Sequence, residues 1–418
     1  STSYTGISTN RLKKKKAQPY TSVLAAGDFY KVKIAADGVY KIDADFLASL
    51  GANMSSITMS TFKIYGNGGE MLPELIITPR AEGLQENPLQ SVDANSNNKL
   101  DAGDYFLWYA KGPATYSYVA GSKNYIGNGH DYDIASYYYL TWGDGAGKRI
   151  NTLPNGQGNS SATTVTSYDH LIYHEADEEN HIKSGRSWWG DNMQNNTTKS
   201  FNYSIAGALI GDDLGFRTVT TGRSFDGQSS SMQISINGVN VASENYSLVS
   251  GKYDEKFAAN PTLSTVSTPL TSSAIELTYR YNKTLNEAAA WIDYFTLTVP
   301  RQLGMYDDQQ HMRFATKNLA GDVRFEISNF TAVHTLWDIT SLSNPKIQAT
   351  FTDAGKAVYI APNIQSTTTP MYIAFNKSTA PVPAFVEKVE NQNLHVIEDV
   401  DYIMVANRLL LAETNRLA

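Results

Sequence analysis

The chain has 418 residues, a formal net charge of −7 and no cysteine. Its length allows roughly two to four domains, and the negative charge argues against a nucleic-acid surface. The absence of cysteine excludes disulfides, thiolate metal ligands and a cysteine nucleophile. No apolar run approaches the ~20 residues of a membrane-spanning helix. Abundant tyrosine, with many Thr, Ser and Asn residues, predicts a mainly β protein with polar turns.

The first part of the chain predicts a basic arm followed by a small β domain. Residues 1–20 are polar and include a Lys/Arg-rich run, which is typical of a mobile, solvated terminus. Residues 21–150 then show alternating apolar and polar positions. Two such segments flank Asp37-Gly38, which predicts a β-hairpin. Residues 43–51 predict a short helix closed by glycine.

Residues 93–104 of this domain match the spacing of a twelve-residue calcium loop, which needs oxygen ligands at positions 1, 3, 5, 9 and 12 and a backbone carbonyl at position 7. Asn98 stands where glycine is usual, and asparagine also tolerates the left-handed conformation required there. Leu100 is expected to anchor the loop to a core. The predicted ligands are Asp93, Asn95, Asn97, Asp101, Asp104 and the carbonyl of Lys99.

Two interpretations of this loop remain open. Asp104 is shorter than the usual glutamate at position 12, the flanks resemble strands, and Asp and Asn also dominate ordinary polar turns. Three carboxylates in one turn, however, repel one another without a cation. We therefore predict a structural calcium ion that fixes the start of the strand at 105–109.

Residues 151–303 predict a jelly-roll-like β-sandwich preceded by a polar and aromatic segment. Residues 151–166 are rich in Asn, Gly, Ser and Thr and predict a linker or long loop. Short segments that alternate in polarity then recur with polar turns between them, which is typical of an antiparallel sandwich. These segments are 201–205, 216–220, 232–236, 275–279 and 291–299.

The segment 168–190 concentrates histidines, acids and tryptophans, and it allows three interpretations. A zinc site would use His170, His174 and His181, since imidazole and carboxylate ligands suit zinc. A hydrolase would use Glu175 and Asp177 as acid and base, since residues two apart on a strand face the same side. The third interpretation is a segment packed between domains, with Arg186 paired to an acid.

The final part of the chain predicts a third β domain and a change of fold. Residues 304–395 contain further short strands and end in an extended linker. Residues 402–406 form a continuous apolar run, typical of a strand buried on both faces, and a helical pattern follows. Since a parallel strand and its crossover helix need a second parallel strand, we expect 396–418 to begin a truncated α/β domain and to be poorly anchored.

Six stretches occur in the order found in one known family. Together they resemble the N-terminal region of PorU-like sortases of the type IX secretion system, which are gingipain-family cysteine peptidases of Bacteroidetes. The resemblance spans residues from about 25 to 418. The stretches are Tyr30-Lys-Val-Lys-Ile34 with Asp37-Gly-Val-Tyr-Lys-Ile42, Gly103-Asp-Tyr-Phe-Leu-Trp-Tyr109, His174-Glu175 with Ser184-Gly-Arg-Ser-Trp-Trp-Gly190, Trp291-Ile-Asp-Tyr-Phe295, Leu336-Trp-Asp-Ile-Thr340, and Asn391-Gln-Asn-Leu-His395 with Asp401-Tyr-Ile-Met-Val405.

The resemblance implies a parent protein that cleaves C-terminal secretion signals and attaches cargo to a surface lipopolysaccharide. Its catalytic His and Cys would lie in a downstream domain that opens at Asp401, so we expect no catalytic residue and no enzyme activity in this chain. The implied partners are that domain of the same protein, secretion-system proteins and cargo C-terminal domains. The implied location is extracytoplasmic, either on the outer-membrane surface or secreted.

A different function class remains as the alternative. A glycan-binding or adhesin module would present aromatic side chains as a stacking surface for sugars. Aromatic faces can do this, but each is more often part of a core or an interface. The candidate side chains are Tyr137, Tyr138, Trp142, Trp188 and Trp189.

Overall fold

The computed structural model describes residues 20–418 except 76, 120–121, 155–161, 226, 253–255, 316–318, 366, 368 and 398–401. The described residues form mainly antiparallel β-sheets with very little helix, which confirms the predicted fold class. They are arranged as three β units. The predicted basic arm, except for Tyr20, lies outside the described residues.

The first unit consists of two sheets that enclose one aromatic-rich core, together with a separate two-stranded sheet. Phe62 and Phe106 stack across this core with ring centroids 4.3 Å apart, and Trp108 is fully buried beside them. The helix α1 (Ala44–Ser49) forms where predicted, because the Asp43 carboxylate caps it by accepting from the Phe46 N–H at 3.0 Å. The strands are β1 (Phe29–Ile34), β2 (Gly38–Asp43), β3 (Lys63–Tyr65), β4 (Glu86–Asn87), β5 (Gln90–Val92), β6 (Tyr105–Ala110), β7 (Thr115–Tyr118), β8 (Tyr125–Asn128) and β9 (Ser136–Thr141).

The predicted hairpin at Asp37-Gly38 is wrong. β1 pairs with β9 in a sheet of order β1-β9-β3-β4, whereas β2 pairs with β6 in a second sheet of order β2-β6-β5. The turn carries the chain from one sheet to the other, so that Val32 and Ile42 enter the same core from opposite sides. Local turn chemistry predicts the reversal of the chain, but burial of both apolar faces decides which strand each one pairs with.

The second unit is the predicted sandwich of two four-stranded antiparallel sheets. One sheet has the order β12-β19-β14-β17 and the other β13-β18-β15-β16. Alternate residues of these strands point into a shared apolar core, as the period-two pattern predicted. Two short strands, β10 (Asn151–Leu153) and β11 (Thr163–Val165), precede the unit. Its own strands are β12 (Ser167–Glu175), β13 (Thr198–Ser204), β14 (Asp213–Arg223), β15 (Ser231–Ile236), β16 (Val239–Asn245), β17 (Thr262–Pro269), β18 (Ala274–Asn282) and β19 (Ala289–Gln302).

The third unit is a smaller sandwich whose sheets recruit strands from earlier in the chain. Its sheets have the orders β10-β23-β22-β26-β20 and β11-β21-β25-β24. β10 and β11 join as parallel edge strands, so part of the predicted linker 151–166 belongs to these sheets. Its other strands are β20 (His311–Ala315), β21 (Gly321–Ile327), β22 (His334–Asp338), β23 (Lys346–Gln348), β24 (Phe351–Asp353), β25 (Lys356–Ile364) and β26 (Met371–Asn376). The last strand, β27 (Ala384–Val389), belongs to a sheet of the first unit.

Two features join the first and third units. β27 adds to the outer side of β1, so the predicted linker returns to the first sheet instead of leading away from it. An apolar cluster that includes Leu107, Trp337 and Phe375 fills the space between the units. At its margin the buried Asp37 pairs with Arg313. A charge pair removed from water fixes the relative position of the units, because separating its partners would leave each of them unpaired.

The last residues form a short helix, α2 (Leu411–Leu417), but the predicted buried strand is absent among them. Residues 402–406 are assigned to no sheet, and Ile403 and Val405 are 78% and 95% exposed. A strand requires a partner, and no described strand lies beside this segment, so its exposure agrees with the expectation that 396–418 is poorly anchored. Short 3₁₀ turns occur at Val23–Ala25, Met54–Ser56, Met59–Thr61, Leu394–Val396 and Arg408–Leu410. Among the described residues, no helix combines the length and apolar character needed to span a membrane.

Candidate functional site

The calcium-like loop connects β5 to β6 and is held against the first unit. Asn98 has φ +61°, so it takes the left-handed conformation predicted for position 6. Its carbonyl oxygen accepts from the Met59 N–H at 3.1 Å, and its side-chain oxygen accepts from the Ser60 N–H at 2.8 Å. Leu100 is buried in the core of the first unit, as predicted. The backbone of the loop is therefore fixed at both its turn and its apolar anchor.

The oxygen atoms of the loop are largely engaged by the loop itself. The two Asp93 carboxylate oxygens accept from the N–H groups of Asn97 (3.3 Å) and Asn98 (2.8 Å). Those of Asp104 accept from the N–H groups of Ala94 (2.8 Å) and Asp101 (2.9 Å). Such contacts order the loop before any ion binds, but they use oxygen lone pairs that a cation would need in part.

The side-chain amides of two asparagines in the loop point toward the carboxylate of Asp101. The side-chain amides of Asn97 and Asn95 donate to Asp101 Oδ2 at 2.6 and 3.4 Å, and these hydrogen bonds lower the pKa of Asp101. In the described part of the chain, no group of three or more His, Cys, Asp or Glu side chains is arranged to hold a metal ion. The donor chemistry fits calcium, but the carboxylates and amides would have to rotate to meet one ion.

The three histidines of segment 168–190 lie in three separate environments. His170 is half-buried near Arg301, and its burial, followed by this positive charge, lowers its pKa to about 4. His174 Nε2 lies 2.6 Å from Asp191 Oδ2, and its ring stacks on Phe295. His181 stacks between Trp189 and other aromatic rings. The structure does not bring them together, so the zinc interpretation of this segment is not supported.

Glu175 and Asp177, in contrast, share one cleft. A cleft of about 670 Å³ lies where loops of the first unit meet the sheet that contains β12 and β19. Glu175 and Asp177 line it together with Asp293 of β19 and Asp131 of the first unit. Gly129 makes room for the Glu175 carboxylate, since a Cβ there would lie 2.4 Å from Glu175 Oε2. Glu70, which pairs with Lys111, also lines the cleft, so the structure gathers five carboxylates from two units around one opening.

Electrostatics in this cleft favour protonation of its acids. Burial raises the pKa of Glu175 to about 8, and the negative charges of Asp177, Asp293 and Asp131 contribute to the rise. Burial, followed by Asp177, raises the pKa of Asp293 to about 7. Within the described residues, no lysine or arginine is paired with Glu175, Asp177 or Asp293. Arg186 also lines the cleft, but it pairs with Glu74 and lies 3.6 Å from Asp131.

Asp293 and Asp131 were not predicted as site residues. Asp293 interrupts an otherwise apolar strand within Trp291-Ile-Asp-Tyr-Phe295, and an acid in such a strand is a sequence signal for a polar site. Asp131 carries no comparable signal, because it lies in a loop that reaches the cleft only in the folded chain.

The aromatic residues proposed for glycan stacking do not form one surface. Tyr138 is buried in the first unit, and Trp142 stacks on Tyr30 with centroids 5.3 Å apart. Trp189 is buried against His181 in the second unit. Trp188, which is 39% exposed, lines the cleft. Two of the five rings, Tyr138 and Trp189, are therefore buried, whereas Tyr137 and Trp142 are half-buried in the first unit.

Comparison with solved structures identified one with a similar architecture. No family model matches the sequence, and no curated protein matches it. The crystal structure of dimeric latent PorU from Porphyromonas gingivalis superposes with a TM-score of 0.77 and 23% sequence identity, and the match covers 95% of this chain. The match covers 36% of the PorU chain, so this chain spans about a third of that protein.

Other solved structures superpose with much lower TM-scores. A carbohydrate-binding module CBM36 in complex with calcium and xylotriose covers 32% of this chain and 99% of its own, with 13% identity and a TM-score of 0.20. The glycanase PNGase F covers 67% of this chain and 86% of its own, with 10% identity and a TM-score of 0.21. Neither value is high enough to inform function. The chain therefore has the multi-unit β fold found in part of PorU.

Proposed function

We propose that this chain is the non-catalytic β region of a PorU-like, gingipain-type cysteine peptidase or sortase of type IX secretion. It supports a catalytic domain of the same protein and contacts cargo or the secretion machinery. Its location is extracytoplasmic, on the outer-membrane surface or secreted. The observation that carries this proposal is the 0.77 TM-score, because it extends over 95% of the chain and includes all three β units.

The chain's own residues support a scaffold role. The sequence has no cysteine, so a thiol nucleophile must come from elsewhere in the parent protein. The first and third units are joined by the buried pair of Asp37 with Arg313 and by β27. A rigid junction of this kind suits a support for another domain. The exposed apolar residues Ile403, Val405 and Leu409 provide a surface for that domain to cover.

A structural calcium ion in the loop 93–104 belongs to the same proposal. The ligands would be the side-chain oxygens of Asp93, Asn95, Asn97, Asp101 and Asp104 with the carbonyl of Lys99. The supporting observations are the left-handed Asn98 and the buried Leu100, which hold the loop in the required shape. When bound, calcium neutralises repulsion among the three carboxylates. The ion has no catalytic part in this proposal.

The experiment compares this chain with the protein encoded by its whole reading frame. Each is incubated with a cargo protein that carries a C-terminal secretion signal, and cleavage is followed by mass spectrometry. We expect cleavage by the whole protein, its loss after alkylation of thiols, and none by this chain alone.

A matched variant of the whole protein tests the scaffold role. Arg313→Met breaks the buried pair between the first and third units, so cargo cleavage should fall while the catalytic residues stay unchanged. Cleavage by this chain alone, or a reading frame without any cysteine, would refute the proposal.

A further inference from the structure

The loops that line the cleft of Glu175 also carry exposed apolar side chains, which we call the rim. Three loops meet there, and they contain Glu74, Asp131 and Arg186. Arg186 connects the three loops because it contacts both Glu74 and Asp131. The Asp131 N–H also lies 3.3 Å from Met71 Sδ. Large apolar side chains project from these loops into solvent. The rim comprises Leu72, Leu75, Ile77, Tyr132, Ile134 and Ile182.

This exposure is too extensive to be incidental. Each of the six rim side chains is between 66% and 88% exposed. Single exposed apolar residues are ordinary, but several on neighbouring loops that also line a cleft are typical of a surface that a partner covers. Trp188, at the edge of the same cleft, adds a partly exposed aromatic face of the type that anchors protein partners.

The charges inside the cleft determine what kind of partner fits. Glu175, Asp177 and Asp293 have no cationic partner among the described residues. They are not gathered around one point in the manner of metal ligands, since no such group occurs in the described part of the chain. Carboxylates spread along an opening match an elongated cation. A guanidinium presents several N–H donors in a plane and can contact more than one carboxylate.

We propose that this surface docks an exposed segment of a partner protein, in which an arginine or lysine enters the cleft and flanking apolar residues pack on the rim. The rim supplies apolar contact area, and the carboxylates select the cation. This inference deepens the partner-contact part of the proposed function. Its test uses this chain alone, so a negative result leaves the scaffold role untouched.

The probes are two blocked, fluorescein-labelled peptides, Gly-Leu-Ile-Arg-Leu-Tyr-Gly and the same peptide with citrulline in place of arginine. Citrulline keeps the size of the side chain and removes its charge. Binding is measured by fluorescence anisotropy at low ionic strength, where screening is weak. The solution is kept at about pH 9, so that Glu175, with its pKa of about 8, is ionised. We expect the arginine peptide to bind about tenfold more tightly than the citrulline peptide.

Variants separate the two parts of the surface. The double change Glu175→Gln and Asp293→Asn should remove the preference for arginine, and it should not impair folding because it relieves repulsion between acids. Ile77→Ser should weaken both peptides alike, by about threefold, because it removes only apolar contact. Glu276→Gln is the matched control, since this exposed acid lies on β18 in the other sheet of the sandwich.

Several outcomes would overturn the proposal. These are no binding of the arginine peptide, equal binding of both peptides, or a preference for arginine that survives the double change. Displacement of the peptide by a neutral oligosaccharide would identify the cleft as a glycan site. Self-association of the chain that Ile77→Ser abolishes would identify a second copy as the occupant.

Discussion

Two glutamates of the second unit lie in contrasting surroundings, one of them buried and the other half-buried in the cleft. Glu244 is 3% exposed, and its oxygens accept hydrogen bonds from the hydroxyls of Thr220, Tyr246 (3.2 Å) and Ser264 (2.5 Å). Glu175 receives a hydrogen bond from the Tyr173 hydroxyl, but the charged groups that act on its pKa are all acids. A buried carboxylate is stable where donors surround it and is destabilising where like charges do. The first arrangement builds a core, whereas the second leaves a group in need of a partner.

The largest expected effect comes from removing the satisfied carboxylate. Glu244→Ala leaves three hydroxyls without their acceptor and opens a cavity in the sandwich, which should lower the free energy of unfolding by about 3 kcal/mol. Urea denaturation followed by tryptophan fluorescence measures the change. Glu276→Gln, at an exposed position, should stay within about 0.5 kcal/mol of the parent. An unchanged urea midpoint for Glu244→Ala would show that the hydroxyl network is not stabilising.

The calcium-like loop contains a third group of carboxylates. There a bound cation would stabilise the negative charges, as the hydroxyl donors stabilise Glu244. Calcium at about a hundred times its dissociation constant should raise the free energy of unfolding by about 2.7 kcal/mol. The melting temperature is compared in calcium and in chelator. Asp93→Ala should abolish the gain, while Asp144→Ala, outside the loop, should retain it. Identical melting curves in calcium and chelator would contradict the calcium assignment.

The acids of the cleft should make stability depend on pH. The pKa of Glu175 is raised from 4.5 to about 8, and that of Asp293 from 3.8 to about 7. The folded chain therefore holds these protons more tightly than the unfolded chain does. Their stabilising contribution is complete below the unfolded pKa values and is lost as the pH rises through the folded values.

Glu175→Gln tests this dependence. The variant should lose less stability than the parent as the pH rises from about 5 to about 8, by about 1 kcal/mol after allowance for solvent screening. Urea midpoints measured across this range provide the comparison. Superimposable pH profiles for the two proteins would show that Glu175 titrates as an ordinary surface acid.

The smallest expected effect concerns the hydroxyl donor that Glu175 does have. Tyr173→Phe removes the hydrogen bond to Glu175 Oε2 and should cost about 0.5 kcal/mol near neutral pH. The cost should grow above pH ~8, because a hydrogen bond to an ionised carboxylate is stronger. Urea midpoints at both pH values give the measurement. A larger cost at acidic than at alkaline pH would reverse the assigned role of this hydroxyl.

The sequence predicted some of these features and missed others for identifiable reasons. The alternation in 275–279 and 291–299 predicted sandwich strands, and the structure has β18 and β19 there. The spacing of Glu175 and Asp177 predicted that their side chains face the same side, and both line one cleft. Asp131 could not be predicted, because it comes from the first unit and reaches the cleft only through the packing of loops. The three histidines are close in sequence yet separate in space, because β12 and the loop after it place them in different surroundings.

The sequence by itself determined the β character, the period of each strand and the shape of the calcium-like loop, because these depend on residues close along the chain. The tertiary structure decided which strands pair. β1 joins β9 and β27 instead of β2, and β10 and β11 join the third unit. Pairing depends on which apolar faces are buried together, and that is a property of the whole chain. The same reason explains why the acids of the cleft came together only in the folded protein.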